Sequence, residues 1–125
     1  GALIHKIISA KNSKKKSIEL FGDGTPLRQF MHARDVARII CNMIEEDKYL
    51  NMNIATDENY TVAKIAKIAL KVCDAEYLEI KYNSDRPNGQ MRKDIDTGIF
   101  EKNFPNLKLI RLSEGIKEIY EKLKK

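Results

Sequence analysis

Apolar residues along this chain alternate between the spacing of helices and the spacing of strands. Helical spacing occurs in Ala2–Asn12, 35–44, 62–73, 96–104 and 113–123. Strand alternation or an extended character occurs in Ser17–Phe21, 27–32, 51–55 and 77–82. This order of elements predicts an α/β (α+β-like) domain in which a small sheet of short strands packs with about four helices.

The ends of the predicted helices differ in how well they are capped. Thr61 and Ser113 are predicted N-caps, because their hydroxyl oxygens can accept from free backbone N–H groups. Ala2–Asn12 begins without a cap or a preceding turn. We therefore expect the chain to start inside a larger structure and to expose apolar surface there. The last helix is predicted to turn these residues inward: Ile116, Ile119, Tyr120 and Leu123.

The length of 125 residues predicts one domain, 1–125. An apolar content of 42% with 33% charged residues is typical of a soluble protein with a charged surface. No apolar run approaches the ~18 residues of a membrane span, and the N-terminus has no signal-peptide layout, so we expect no membrane partner and a cytoplasmic location. Cys41 and Cys73 lie in helical apolar patterns and are predicted to be buried free thiols.

The net charge of +5 favours an anionic partner such as nucleic acid, a nucleotide or a sugar phosphate. Most lysines are spread along helix faces, and the one run, at 14–16, lies in a predicted loop. A small basic nucleic-acid-binding module is one alternative. The basic stretches have no interleaved aromatic residues, however, and we do not predict a nucleic-acid partner.

A glycine-rich turn precedes the extended stretch 27–32. Gly22 and Gly24 are followed by Leu27 where a dinucleotide-binding fingerprint needs its third glycine, and no helix is predicted to start there. We therefore expect no nicotinamide or flavin cofactor on this chain.

A complete set of catalytic residues is missing. Tyr-x-x-x-Lys, a spacing that supports proton transfer on a helix, occurs at Tyr60/Lys64 and at Tyr120/Lys124. In a lysine-rich chain we interpret both as coincidence, so no catalytic residue is assigned. The two histidines have no Cys/His cluster near them in the sequence, and no metal site is predicted.

Two loops carry basic residues that suit an anion. Arg28 follows the glycine turn, while Arg86 and Arg92 flank the turn at Asn88, with Lys93 beside them. A guanidinium offers two parallel N–H donors to two phosphate oxygens. These side chains are either surface ion-pair partners or an anion site, and two basic loops in one small domain favour the anion site.

At these residues a family resemblance emerges. FGDGTPLRQFMHARDVA (21–37) resembles the segment that opens the C-terminal substrate-binding region of extended short-chain dehydrogenases/reductases acting on nucleotide sugars, the NAD-dependent epimerase/dehydratase family. NYTVAKIAKI, RPNGQMRKDID and LSEGIKEIYE resemble later landmarks of that region in the same order. Within the family the pattern is most similar to that of the GDP-L-fucose synthases. The C-terminal domain of a UDP- or dTDP-sugar 4-epimerase or dehydratase is the alternative.

The resemblance implies a set of residues that bind a nucleotide-diphosphate sugar: Arg28, Phe21, Arg86, Arg92, Lys93 and Lys6. It implies that Arg28 contacts the diphosphate and that Phe21 lies near the guanine. Lys93, together with Arg86 or Arg92, would close on the nucleotide from the other loop. Lys6 would lie near the diphosphate.

The resemblance also places the family's glycine-rich cofactor loop and its catalytic Tyr and Lys before Gly1. We therefore expect an inactive fragment of a longer, homodimeric enzyme that binds NADP(H) or NAD(H) and epimerises, reduces or otherwise modifies a nucleotide-linked hexose. The fragment's partners would be the nucleotide-diphosphate sugar and its own N-terminal Rossmann domain. A homologue that kept the fold and lost the chemistry is a further possibility.

Overall fold

A computed structural model of the protein describes residues 1–48 and 50–124. The helices are α1 (Ala2–Asn12), α2 (Ala33–Glu45), α3 (Val62–Val72), α4 (Gly98–Asn103) and α5 (Leu112–Leu123). The strands are β1 (Ser17–Phe21), β2 (Leu27–Gln29), β3 (Asn59–Thr61) and β4 (Glu79–Asn83). The predicted α/β class is confirmed. None of the described helices is long and apolar enough to cross a membrane.

The strands form two separate pairs and not one sheet. β1 runs parallel to β4, with Ser17 opposite Glu79 and Phe21 opposite Asn83. β2 runs antiparallel to β3. Because β1 and β4 are parallel, their carboxyl ends meet at the same edge, and the loops that follow both strands start side by side.

The core lies between α1, α3 and α5 and the inner face of β1. Its buried side chains include Ile4, Ile7, Ile18, Leu70, Cys73, Ile116 and Tyr120. The predicted cap of α3 is confirmed, because Thr61 Oγ1 accepts a hydrogen bond from Lys64 N at 3.1 Å. The buried thiol predicted for Cys73 is also confirmed.

α2 lies at the periphery of this core. It buries only Asp35 and Ile39, and Ile40 and Ile44 are 48% and 65% exposed. The prediction of a buried thiol at Cys41 is wrong, since that side chain is exposed. A polar contact holds the helix in place, because Asp35 Oδ2 accepts a hydrogen bond from Ile110 N at 2.7 Å.

The segment 51–55, predicted as a strand, is extended but unpaired. Among the described residues, its backbone makes no backbone–backbone hydrogen bond. Its exposure still alternates, with Asn51 and Asn53 exposed and Met52 and Ile54 partly buried. The strand pattern is therefore present, and the part of the chain that the structure describes places no strand edge beside it.

The predicted cap at Ser113 is wrong, because α5 already begins at Leu112. The Glu58 carboxylate accepts from Leu112 N at 2.7 Å, and the Glu114 carboxylate accepts from Arg111 N at 3.3 Å. Two carboxylates thus satisfy the helix start in place of a hydroxyl. Two residues predicted to point inward, Ile119 and Leu123, are each 36% exposed.

Candidate functional site

The carboxyl edge of the β1–β4 pair carries the predicted ligand residues. A turn, 22–26, leaves β1 there, and a long loop, 84–97, leaves β4. The two strand ends are joined by the hydrogen bond from Gly22 N to Asn83 O at 2.9 Å. Parallel strands present the loops that bind ligands at this edge, where the sequence also concentrates basic residues.

Phe21, the last residue of β1, stands at this edge with 58% of its surface exposed. Lys6 Nζ lies 5.0 Å from the centre of its ring and Arg86 Cζ lies 5.6 Å from it. Lys6 Nζ also donates to Glu19 O at 2.9 Å, which fixes the ammonium above β1. An exposed aromatic ring with two cations beside it suits a flat base that carries phosphate.

The turn and the loop are joined along their length. Asp23 N donates to Asn88 Oδ1 at 2.8 Å, and Leu27 N donates to Met91 O at 2.8 Å. Gly22 has a φ of 76°, and a Cβ there would lie 1.9 Å from Asn88 Oδ1. Glycine is therefore required at this position for both its backbone conformation and its size.

Arg28 is held against the same loop. Its Nη1 donates to Leu27 O at 2.6 Å and to Gln90 O at 2.8 Å, which uses both hydrogens of that nitrogen. Among the described residues, neither its Nη2 nor its Nε makes a hydrogen bond. The guanidinium is thus oriented by the loop and keeps donors available for an anion.

The remaining basic residues of the loop are placed differently. Arg92 Nε donates to Asp94 Oδ2 at 2.8 Å, Arg92 Nη2 contacts the same oxygen, and Asn59 donates to Asp94 Oδ1 at 2.8 Å. Arg92 and Asn59 together lower the pKa of the Asp94 carboxyl. Arg92 is therefore the partner of a carboxylate in this structure, while Lys93 is exposed.

The glycine turn does not fit a dinucleotide. Gly24 has a φ of 80°, and a Cβ there would lie 2.6 Å from the Tyr82 ring, so this glycine allows the turn to pack against β4. The turn leads into β2 and does not open a helix. The N-terminus of α3 does meet the turn, but its first N–H groups are already used, because Val62 N donates to Pro26 O and Ala63 N donates to Gly24 O, both at 2.9 Å. The cradle of a pyrophosphate, a glycine-rich turn that opens a helix, is not built by these residues.

The two Tyr-x-x-x-Lys pairs have other uses. Tyr60 donates to Glu58 Oε1 at 3.1 Å, and that carboxylate raises the pKa of Tyr60, which is unfavourable for a proton-transferring phenol. Tyr120 is buried and accepts from Lys11 Nζ at 2.9 Å. Within 1–48 and 50–124, no three His, Cys, Asp or Glu side chains gather as metal ligands would.

The structure therefore places Lys6 and Arg86 beside Phe21 and ties Arg28 to the loop 84–97. Sequence reasoning missed the side chain of Asn88, which was interpreted only as part of a turn. The sequence did contain one signal, which is Gly22. A glycine directly after a strand, together with an Asn-Gly turn elsewhere, indicates a place where two backbones can approach closely.

Comparison with known proteins identifies relatives. The family model described as GDP-mannose 4,6 dehydratase matches residues 2–109. GDP-L-colitose synthase from Yersinia pseudotuberculosis is 30% identical over 103 residues, which are 81% of this chain and 33% of that protein. A probable GDP-L-fucose synthase 1 from Oryza sativa subsp. japonica is 27% identical over 120 residues, 95% of this chain and 36% of that protein. A dTDP-4-dehydro-6-deoxy-D-allose reductase from Streptomyces bikiniensis is 30% identical over 87 residues, 70% of this chain and 26% of that protein.

Solved structures share the fold. A GDP-L-fucose synthetase from Naegleria fowleri matches with a TM-score of 0.84 at 20% identity, over 96% of this chain and 37% of that one. MlghC, a GDP-mannoheptose C4 reductase from Campylobacter jejuni with NADP bound, matches with a TM-score of 0.79 at 23% identity, over 99% of this chain and 44% of that one. The chain thus spans between a quarter and somewhat more than a third of the length of the curated relatives named above. Since the family model covers most of it, the chain belongs to the GDP-mannose 4,6-dehydratase family of extended short-chain dehydrogenases/reductases.

Proposed function

We propose that this chain is the substrate-binding part of an NAD(P)-dependent nucleotide-sugar epimerase or reductase similar to GDP-L-fucose synthase. The observation that carries the proposal is the exposed ring of Phe21 with Lys6 and Arg86 beside it at the carboxyl edge of β1–β4. A nucleotide diphosphate has the complementary chemistry, because its base stacks on an aromatic face and its phosphates pair with cations.

Each residue of this face has a distinct task in the proposal. The ring of Phe21 stacks with the base, a contact of about 1–3 kcal/mol for base–aromatic stacking. Arg28 presents its Nη2 side to the diphosphate while the carbonyl of Gln90 fixes its orientation. Arg86 and Lys6 add positive charge next to the ring. Together these side chains bind and orient the substrate and perform no chemistry.

The second half of the loop closes on the nucleotide from the other side. Lys93 is exposed and approaches without breaking a contact. Arg92 has to exchange the carboxylate of Asp94 for a phosphate, which makes it the weaker of the two contributors.

GDP-sugars are the substrate class that the comparisons support best. The matched family is described by a GDP-linked sugar, and the colitose and fucose synthases act on GDP-sugars by name. The dTDP-sugar reductase supports the runner-up, a UDP- or dTDP-sugar epimerase or dehydratase. In the parent enzyme NADP(H) or NAD(H) supplies hydride, and its site and the catalytic residues lie outside this chain.

The parent's own N-terminal Rossmann domain is the proposed partner of the apolar face of α2. Ile40 and Ile44 are exposed there, and the segment 51–55 that follows α2 presents an unpaired backbone. A homodimeric cytoplasmic enzyme is the proposed context. This chain alone forms only one wall of the substrate cleft, so it binds weakly and does not turn substrate over.

Titration of the 125-residue chain with GDP, UDP and dTDP, followed by NMR, tests the proposal. GDP is expected to shift the signals of Phe21 and Arg28, and Phe21→Ala and Arg28→Ala to weaken binding about tenfold. Arg34→Ala and Lys117→Ala are the controls, since both side chains are exposed and lie outside the face. Equal binding by the control and test variants would refute the site, and a preference for UDP or dTDP would favour the runner-up.

A further inference from the structure

We infer that Asn88 is a positioning residue, which clamps the loop 84–97 onto the turn 22–26. The clamp thereby sets the geometry of the nucleotide face, which consists of the side chains of Lys6, Phe21, Arg28 and Arg86. The clamp itself is a matter of contacts within the chain. Its effect on a ligand rests on the proposed function.

The first evidence is the position of the Asn88 side chain. Its Oδ1 accepts from Asp23 N at 2.8 Å, across 65 positions of the sequence. A longer side-chain contact, from Thr25 Oγ1 to Met91 Sδ at 3.9 Å, lies beside it. A backbone contact follows, in which Leu27 N donates to Met91 O at 2.8 Å. A bond that joins two loops so distant in sequence restricts both of them.

The second evidence is that the turn is shaped to receive this side chain. A Cβ on Gly22 would lie 1.9 Å from Asn88 Oδ1 and 2.9 Å from Asn88 Cγ. The missing side chain at Gly22 therefore leaves the space that the amide occupies. Two residues that are complementary in this way form a specific contact and not an incidental surface hydrogen bond.

The third evidence is electrostatic. Asp23 accepts from Thr25 N at 2.9 Å and from Thr25 Oγ1 at 2.7 Å. These bonds, together with the nearby Asn88 side chain, lower the pKa of the Asp23 carboxyl. The neutral amide of Asn88 thus lies next to a carboxylate and favours its charged form. An acid at position 88 would keep the acceptor and introduce repulsion.

The clamp matters because each loop carries part of the nucleotide face. The loop brings Arg86 to within 5.6 Å of the Phe21 ring, and its Gln90 carbonyl orients Arg28. Release of Asn88 would let the loop move, and both arginines would lose their positions together. The face is therefore preformed by a contact that touches no ligand.

Amide hydrogen exchange of Leu27 is the direct readout, because its N–H bonds to Met91 and does not touch Asn88. In Asn88→Ala we expect about tenfold less protection at Leu27, as for the loss of one net hydrogen bond. In Asn88→Asp the same loss is expected at pH 8, where two carboxylates repel each other. Recovery is expected at about pH 3, below the ordinary aspartate pKa of about 3.9, where the pair holds a proton. The double variant Asp23→Asn/Asn88→Asp restores one amide and one carboxylate and should be protected at both pH values.

GDP affinity, measured on the same variants, is expected to follow the protection of Leu27 within about threefold. Unchanged protection in Asn88→Ala, or an Asn88→Asp variant without pH dependence, would overturn the clamp. Reduced protection with undiminished GDP affinity would overturn its role in positioning the face. If the unaltered chain binds no nucleotide, the proposed function fails, and the exchange data still decide whether Asn88 clamps the loop.

Discussion

Lys11 joins three helices, and its replacement by methionine gives a stringent test of the fold. From the end of α1, its Nζ donates to Cys73 O at 2.5 Å, to Tyr120 OH at 2.9 Å and to Asp74 O at 3.3 Å. The two carbonyls end α3, where a positive charge also opposes the negative end of the helix dipole. Lys11→Met keeps the apolar stem and removes all of these interactions.

The expected loss of stability follows from these contacts. Hydrogen bonds from a charged group contribute about 1.5–3 kcal/mol, and the substitution leaves Cys73 O, in partly buried surroundings, without its donor. The ammonium remains partly accessible to water, so we expect the lower half of that range, about 2 kcal/mol. The hydrogen bond with Tyr120 is the main cause that raises the pKa of Lys11 above its ordinary 10.5. The contribution is therefore complete below pH 10.5 and disappears as the pH rises through the higher folded-state value.

Urea unfolding followed by circular dichroism measures this loss. Lys71→Met is the matched control, because Lys71, like Lys11, is the basic residue in the last turn of its helix, here α3, but is exposed. We expect the control to change the free energy of unfolding by less than about 0.5 kcal/mol. A Lys11→Met variant as stable as the control at pH 7 would contradict the assignment. A difference between the two that stays constant as the pH rises far past 10.5 would also contradict it.

Three further predictions concern α2 and the thiols. Asp35→Ala should destabilise the fold by about 2–3 kcal/mol, because it leaves Ile110 N without its acceptor. Asp35→Asn should cost less, since the amide oxygen can still accept that bond, and chemical denaturation measures both losses. A thiol reagent should label the exposed Cys41 at once and Cys73 only on unfolding, because Cys73 is buried and burial raises the pKa of its thiol. Mass spectrometry counts the labels, and rapid labelling of both thiols would contradict the burial of Cys73. Replacing Ile40 and Ile44 with Gln should reduce hydrophobic-dye binding and self-association of this chain without loss of stability, because both side chains are exposed. Unchanged dye fluorescence would show that the dye binds to an apolar surface elsewhere.

Sequence patterns predicted the elements whose partners lie within this chain. α1, α3 and β1 match the predicted positions closely, because their apolar faces pack against one another. The strand predicted at 77–82 appears as β4 (Glu79–Asn83), where β1 supplies its pairing edge. Local pattern and tertiary packing agree in these parts of the chain.

The predictions failed where the pattern needs a partner that this structure does not supply. Ile40, Ile44 and the segment 51–55 have the periodicity of buried elements and remain exposed or unpaired. Ser113 was chosen as a cap from its residue type, whereas Glu58, distant in sequence, satisfies the helix start. Such contacts between distant residues leave no periodic trace in a single sequence.

The candidate site was predictable in composition but not in geometry. Residue types and the family resemblance indicated Arg28, Phe21 and Arg86. The sequence could not reveal that Asp94 engages Arg92 or that Asn88 fits the space beside Gly22. Both contacts depend on how two loops meet, which the register of β1 and β4 determines.

The parallel pairing of β1 with β4 also constrains how the protein folds. Its two strands cannot form a hairpin, and the loops that meet beyond them are joined by a contact across 65 positions. Closing so long a segment is slow and gains little until the helices between are in place. The face formed by Phe21, Lys6 and Arg86 should therefore be among the last parts to form. If the proposed nucleotide binding holds, its recovery during refolding would report the completion of the entire domain.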